Sequence, residues 1–320
     1  MKSHFKESVF MTFEIKRLNV NPDDLEQLGT KEKFWFRFKG TSVRWLFKYS
    51  RDNTGEHWSE KVAEELCKAL GIPHAKYELA QMQLTQRMGV VSPNIIPDTC
   101  RMVMGNEVLH KDSPSIYPEP VKDTQQFVRV KEHTVSRVLG CIDLSDIAPP
   151  PNWPSIDGLN AGDVFCGYLL LDALISNQDR HHENWAIVLN METNQMYLCE
   201  TYDHAASLGR ELLDTERTDR LSSKDSNRKV EKFVQKARSE LFKLKTDKKP
   251  LLTADAFFHA VEKRDKAKIF WLERLRALTD EQISDIFNNI PDEVITDVAR
   301  AFAFQMVLEN KKRLLADDRA

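Results

Sequence analysis

Asn177-Gln178-Asp179-Arg180-His181-His182-Glu183-Asn184, followed after a short interval by Tyr202-Asp203-His204, decides how this sequence reads. Residues 185–190 are apolar and strand-like, 191–195 are polar and turn-like, and 196–200 read as a returning strand. An antiparallel hairpin brings its two ends together, so Asn184 and Asp203 are expected side by side. Two oxygen donors meeting beside a third group, the Asp179 carboxylate, suit magnesium and phosphate, because that hard cation prefers carboxylate and carbonyl oxygens. An acid and an amide at this spacing, with a second acid beyond a hairpin, is how a phosphotransferase holds one base and a metal pair. The plainer reading is a solvated loop capping the apolar helix over 164–175. The acid beyond the hairpin weighs against it.

The pattern Asn-x-Asp-x-His-x-x-Asn at 177–184, with Asp203 after a hairpin, resembles the catalytic and metal-binding segments of the HipA-like serine/threonine kinases. Residues 179–184 also resemble the Asp-Arg-His-x-x-Asn signature of phosphoinositide kinases. Both resemblances imply Asp179 as the catalytic base and Asn184 and Asp203 as metal ligands. His181 is then a member of the catalytic loop that braces it, not a zinc ligand. A metallohydrolase built on His181, His182, His204 and Asp203 is the weaker reading, since no His-x-x-x-His helix pair is present.

With 320 residues, the chain is long enough to bury a substantial core, and two lobes sharing a cleft are a natural expectation. Hydrophobic content of 41%, charged content of 30% and a net charge of −3 describe an ordinary globular protein. They give no whole-chain reason to expect a membrane or direct nucleic-acid binding. The five cysteines (Cys67, Cys100, Cys141, Cys166, Cys199) are scattered without a Cys-x-x-Cys pair, which fits a reducing compartment. No secretory signal is visible, and the longest apolar stretch, 164–175, is too short to span a bilayer and carries Asp172. A soluble, cytoplasmic protein is expected.

Along the chain, 13–18 is a strand candidate, and 34–38 with 43–49 forms a hairpin. Residues 56–70 make the clearest helix, with Val62, Leu66, Ala69 and Leu70 at helical spacing and Gly71 and Pro73 as stops. Strand candidates follow at 76–82 and 88–96. Hairpin, helix and two strands is the order of a kinase amino-terminal lobe. The hinge then falls near 91–94, or at 101–109, which reads as a further apolar strand. Helices are expected over 133–142, 163–176 and 254–315, with prolines at 149–151 and 154 marking a stiff connector. The expected fold is α+β, two-lobed and protein-kinase-like. A small, β-rich N-lobe covers 1–96, and a larger, mainly helical C-lobe covers 97–320.

Lys48 lies among aromatic and apolar neighbours in Trp-Leu-Phe-Lys-Tyr, where a buried ammonium needs a partner. The next helix offers Glu60, the first choice from the resemblance, or Glu64. A strand lysine paired to a helix glutamate and pointing at nucleotide phosphates is the kinase arrangement. The turn Gly29-Thr30-Lys31-Glu32-Lys33 resembles the phosphate loop of HipA-like kinases. Gly29, Thr30, Lys33, Lys48, Glu60, Val91 and Ser92 are accordingly the expected ATP-binding residues, with magnesium as the second cofactor. The resemblance also makes Thr30 a candidate for self-phosphorylation.

Asp172, on the apolar helix, is expected to be buried and bonded to the catalytic loop. Residues 217–249 carry twelve Lys/Arg against five Asp/Glu, and are read as a solvated surface helix. The apolar members of this tract (Val230, Phe233, Val234, Ala237, Leu241, Phe242) recur at helical spacing, which predicts one core-facing stripe.

The function implied is ATP-dependent phosphorylation of a serine or threonine on a protein. The alternatives are a phosphoinositide or small-molecule kinase, and a catalytically silent nucleotide-binding regulator. HipA-like kinases often carry a further amino-terminal subdomain and work in toxin–antitoxin systems. Only 28 residues precede Gly29, so that subdomain is expected to be absent. An antitoxin-like or regulatory partner then replaces it, or the chain acts alone.

Overall fold

The computed structural model describes residues 12–20, 23–25, 32–120, 129–154, 156 and 158–316. The sheet-rich part contains β1 (Ile15–Leu18), β2 (Asp24–Leu25), β3 (Lys33–Arg37), β4 (Arg44–Tyr49), α1 (Glu56–Leu70), β5 (Glu78–Met82) and β6 (Met88–Pro93). The mainly helical part contains β7 (Cys100–Met104), α2 (Gly105–Asp112), α3 (Val135–Leu144), α4 (Ala161–Ile175), β8 (Ala186–Asn190) and β9 (Met196–Leu198). It ends with α5 (Asp214–Ser222), α6 (Val230–Val234), α7 (Thr253–Val261), α8 (Asp265–Ala277), α9 (Asp280–Asn288) and α10 (Asp297–Ala316).

The first sheet runs β1-β5-β6-β4-β3-β2, with β1 parallel to β5 and the other pairs antiparallel. Directly opposed residues share a face, so the register fixes two rows. Phe34, Phe47 and Val91 line up on one face, where Phe34 and Phe47 stack at 5.3 Å and close a small core with Phe36, Ala80 and Leu18. Lys33, Lys48 and Val90 line up on the other, as do Trp35, Leu46 and Ser92.

This second face belongs to α1 and the cleft. Gly71, at φ 71°, ends α1 in the left-handed conformation, returning its N–H to Cys67 and Lys68. The helix buries far more than its apolar stripe. Glu56, His57, Ser59, Glu60, Lys61 and Glu64 are also buried, because α1 is packed between the sheet and helices α4 and α9.

The chain leaves the first sheet after Pro93, and β7 already pairs with β8 in a second sheet of order β7-β8-β9. The sequence alternative of a strand over 101–109 near the hinge is therefore corrected. Its first residues join the second sheet, and Gly105 begins a helix. A side chain at Gly105 would collide with the Trp185 ring and the His182 carbonyl, so only glycine lets α2 sit this close to the 177–184 loop.

Helix α4 is buried along its whole length and starts with a reciprocal Asn160–Asp163 capping box. In the basic tract only 214–222 and 230–234 are helical, which corrects the single amphipathic helix. Val230, Val234, Ala237, Leu241 and Phe242 are indeed buried. The last three are reached on extended backbone, whose isolated bridges Arg238–Leu252 and Thr134–Phe242 supply the pairing a helix makes internally. No helix among the described residues is long and apolar enough to cross a membrane.

Candidate active site

Ser176 ends α4 in the left-handed conformation at φ 54°, and the chain doubles back round Asp172. Asn177 donates to Asp172 through its N–H and its Nδ2, both at 2.8 Å. Arg180 donates Nε to Asp172 Oδ2 and Nη2 to Oδ1, each at 2.8 Å, and its Nη1 reaches the Asn184 carbonyl at 2.5 Å. Arg180 is fully buried. Burial opposes its charge, but the Asp172 carboxylate outweighs this and holds its pKa above the usual arginine value. Asp172 thus braces the loop as the sequence suggested, and Arg180, to which sequence reasoning gave no role, is its counterpart.

Around that anchor Asp179 stands at the surface, its side chain 42% exposed, with His181 Nε2 3.8 Å from its Oδ1. The Asp179 carbonyl accepts from the His181 N–H at 2.7 Å and from Asn184 Nδ2 at 2.6 Å. His181 Nδ1 accepts from the Glu183 N–H, a bracing contact. The β8–β9 register continues past the strands through the Cys199 N–H to the Ala186 carbonyl. Tyr202 Oη donates to the Glu183 carbonyl at 2.8 Å. The two ends of the hairpin therefore stay together, bringing Asp203 back to the loop that holds Asn184.

Lys48 Nζ lies 3.2 Å from Asp203 Oδ1. Burial disfavours the ammonium, but Asp203 and then Glu60 raise its pKa above the ordinary value. The direct ion pair of Lys48 is thus with Asp203, where the sequence reading put Glu60 first. Glu60 instead accepts the His204 N–H at 2.8 Å. Glu64, the other candidate, is committed to Lys61 and Lys68.

Lys33 faces Lys48 across the β3–β4 pair. Ser92 shares the Lys48 face, but Val91 points into the aromatic core on the other side, which corrects its assignment to the nucleotide pocket. Strand phase is the reason: Val91 is opposed to Phe47 rather than to Lys48. The apolar surface beside Lys48 is made by Ala75, Tyr77 and Val90 with Ile95 and Tyr202. Counting alternate residues from Lys48 would have found Val90. Tyr77 and Tyr202 had no local signal. Gly29 and Thr30 lie outside the described residues.

A second network missed in the sequence lies behind the loop. Trp185 Nε1 donates to His133 Nε2 at 3.2 Å, leaving His133 Nδ1–H to donate to the Glu240 carbonyl. That tautomer requires a neutral ring. Tyr117, whose hydroxyl is kept protonated by burial, donates to His182 Nδ1 at 2.6 Å. Burial, then the neighbouring histidine, pushes His133 well below 6.5 and His182 to about 4. His57, buried in α1 between Ser50 and the Val294 carbonyl, is also pushed by burial to about 4.

Each histidine is neutral in the fold, while its unfolded counterpart takes a proton first as pH falls. The contribution of these three histidines to stability is therefore level above pH ~6.5 and declines towards pH ~4, His57 alone accounting for about 2–3 kcal/mol. Urea midpoints measured at pH 7 and 4.5 should differ accordingly, and His57→Gln should reduce the difference. Equal midpoints in the parent protein would contradict the neutral histidines.

Asn184 and Asp203 offer an amide and a carboxylate, the hard oxygen donors that suit magnesium. Among the described residues no group of three or more His, Cys, Asp and Glu forms a self-contained metal cage. Magnesium needs none, because it is commonly held by one or two carboxylates together with substrate phosphates. The donor set fits.

No protein-family model and no curated protein matches the chain in sequence. In structure it is similar to a Helicobacter pylori proinflammatory kinase, CtkA, with a TM-score of 0.68 and 17% identity over 95% of each chain. It is also similar to the HipA of Shewanella oneidensis MR-1, solved with HipB and operator DNA, with a TM-score of 0.53 and 14% identity. That match covers 95% of this chain and 66% of the other. What is shared at these identities is the fold, two-lobed and kinase-like.

Proposed function

We propose that this chain is a HipA-like, ATP- and magnesium-dependent kinase that transfers the γ-phosphate to a serine or threonine hydroxyl of a protein. The observation that carries the reading is the 3.2 Å pair between Lys48 and Asp203. It joins a strand of the sheet-rich lobe to the segment that the hairpin returns to the Asp179 loop. Three separate stretches of sequence thereby meet in one cleft, and the fold they meet in is kinase-like. The proposed lobes are 1–96 and 97–320, with the hinge between Pro93 and Cys100.

In this reading Asp179 accepts a hydrogen bond from the acceptor hydroxyl, orients it and takes its proton as transfer proceeds. Its exposure leaves it open to a macromolecular substrate. Lys48 turns from Asp203 to the nucleotide phosphates, and Lys33 lines the phosphate side. Ser92, Val90 and Tyr77 flank the nucleotide, and Asn184 and Asp203 hold the metal. When bound, magnesium neutralises phosphate charge and fixes the leaving group. His181 holds the loop through the Glu183 N–H rather than exchanging protons.

The apolar side chains of the basic tract are largely buried, which favours a protein over a lipid at a membrane surface. The five cysteines are free thiols, in keeping with a cytoplasmic setting. HipB in the complex with the Shewanella protein makes an antitoxin-like partner a reasonable proposal here.

Asp203→Asn should weaken Mg-ATP binding by about 10–100-fold, the cost of losing a charge-assisted contact. Metal-free nucleotide binding should hardly change. Calorimetry with and without magnesium reads both, and normal Mg-ATP binding would remove Asp203 from the metal site. The reading as a whole is tested by incubating the protein with labelled ATP, lysate protein and phosphatidylinositol vesicles together. Label is expected on protein. Label on lipid alone would overturn the choice of substrate.

A further inference from the structure

We infer that the lysine-rich turn over 243–249 is a docking surface for an acidic segment of the protein substrate, separate from the cleft where phosphate is transferred. That the partner is the substrate rests on the kinase reading. The surface and its preference for an acidic polypeptide do not.

Residues 217–249 carry twelve Lys/Arg against five Asp/Glu, a surplus of seven positive charges in a chain of net charge −3. Everything outside the tract therefore sums to −10, and the tract is a positive region on an otherwise acidic protein. The structure sorts its cations. The arginines are engaged within the fold: Arg217 pairs with Asp214, Arg220 with Glu216 and Arg228 with Asp219, while Arg238 donates to the Pro250 carbonyl. Lys243, Lys245, Lys248 and Lys249 are exposed, and none of them has an ion-pair partner among the described residues. These four fall within seven residues, with Asp247 the one acid beside them.

Backbone pairing holds the four together. The Ser239 N–H donates to the Leu251 carbonyl and the Leu251 N–H to the Leu241 carbonyl, both at 2.9 Å, which closes the turn at its base. Phe242 and Pro250, at its two ends, are buried. Across the tip the Leu244 N–H donates to Asp247 Oδ2 at 2.9 Å, and the Asp247 N–H to the Leu244 carbonyl at 3.0 Å. Leu244 itself stands 58% exposed among the ammonium groups, an apolar contact inside a charged rim. A turn pinned in this way presents its charges at less ordering cost than a free tail.

The turn belongs to the lobe that carries Asp179. The Phe242 N–H donates to the His133 carbonyl at 2.9 Å, and the His133 ring lies between the Glu240 carbonyl and Trp185, the residue after Asn184. A protein that meets both the turn and Asp179 is held at a raised effective concentration where its hydroxyl reacts. Lysine ammonium groups are hydrated point charges that attract without demanding a bidentate partner, which suits a run of carboxylates. A nucleic acid fits less well, because nothing on the turn can stack on a base. Phe242 is buried, and Phe233 lies under the Arg220 guanidinium and against Phe302.

The test uses the full chain and fluorescein-labelled poly-L-glutamate, with a single-stranded RNA oligomer as the rival probe. The parent should bind poly-L-glutamate at ~0.05 M salt and more weakly at ~0.15 M, where screening is stronger. Changing Lys243, Lys245, Lys248 and Lys249 together to Gln should weaken that binding about tenfold, the combined effect of four exposed pairs of modest strength. The same change at Lys39, Lys263, Lys266 and Lys312, exposed lysines elsewhere, alters the net charge equally and should weaken it less than about twofold. Labelling of lysate proteins from ATP, at limiting lysate, should fall about five- to tenfold in the turn variant with KM for ATP unchanged.

Equal weakening by the two sets of substitutions, no binding of poly-L-glutamate by the parent, or tighter binding of RNA through the same four lysines overturns the inference. So does full labelling of lysate protein by a turn variant that has lost poly-L-glutamate. A parent that binds poly-L-glutamate through the turn yet transfers no phosphate refutes the kinase reading and leaves the acidic-polypeptide surface standing.

Discussion

Asp179→Asn is expected to lower phosphoryl transfer by about 10²–10⁴-fold, the usual contribution of a positioned base. Affinity for Mg-ATP should stay within about twofold, because the side chain meets the acceptor hydroxyl and not the nucleotide. The loop should survive the change. The Asp179 N–H is held by Asn177 Oδ1, and its carbonyl by the His181 N–H and Asn184 Nδ2, all through main-chain atoms that asparagine keeps. Single-turnover transfer and calorimetry on the same preparation separate the two effects. Loss of nucleotide binding in step with activity would make Asp179 a structural residue.

Arg180→Met should cost about 3–5 kcal/mol of stability, the range for removing one member of a buried ion pair. The substitution leaves the Asp172 carboxylate in the core with Asn177 as its remaining anchor, and it frees the Asn184 carbonyl. Activity should fall with stability, because Asp179 and Asn184 flank Arg180 on the loop that it pins. Denaturant midpoints at unchanged slope give the energy. A loss below ~1 kcal/mol would mean that the loop is held elsewhere, since only exposed pairs are worth so little.

What could be read from sequence was whatever has a local period or a fixed spacing. The hairpin strands alternate, α1 shows its stripe and its Gly71 stop, and the loop from Asn177 to Asn184 with Asp203 follows a set interval. Asp172 was legible because an acid inside an apolar helix must find partners.

Contacts between distant segments were not legible. Nothing near Lys48 announces that Asp203 will take its charge, or that Glu60 will bind a peptide N–H instead. Val91 was misassigned because the two faces of a strand differ by one residue, and both its neighbours are as apolar or as small as it is. The tract over 217–249 misled for a related reason. Its apolar residues fall at helical spacing, yet Arg238 and Phe242 are paired to distant backbone, and spacing cannot reveal such partners. His133 and Tyr117 were silent, because a buried neutral histidine leaves no pattern in sequence.

The most direct measurement of the central claim is mass spectrometry of lysate proteins after incubation with the pure protein and ATP carrying a heavy-oxygen γ-phosphate. The account predicts heavy phosphate on serine or threonine of a small set of proteins, dependent on magnesium and absent with Asp179→Asn. Heavy phosphate that appears equally with Asp179→Asn, or none on protein from an enzyme that binds Mg-ATP, would contradict it.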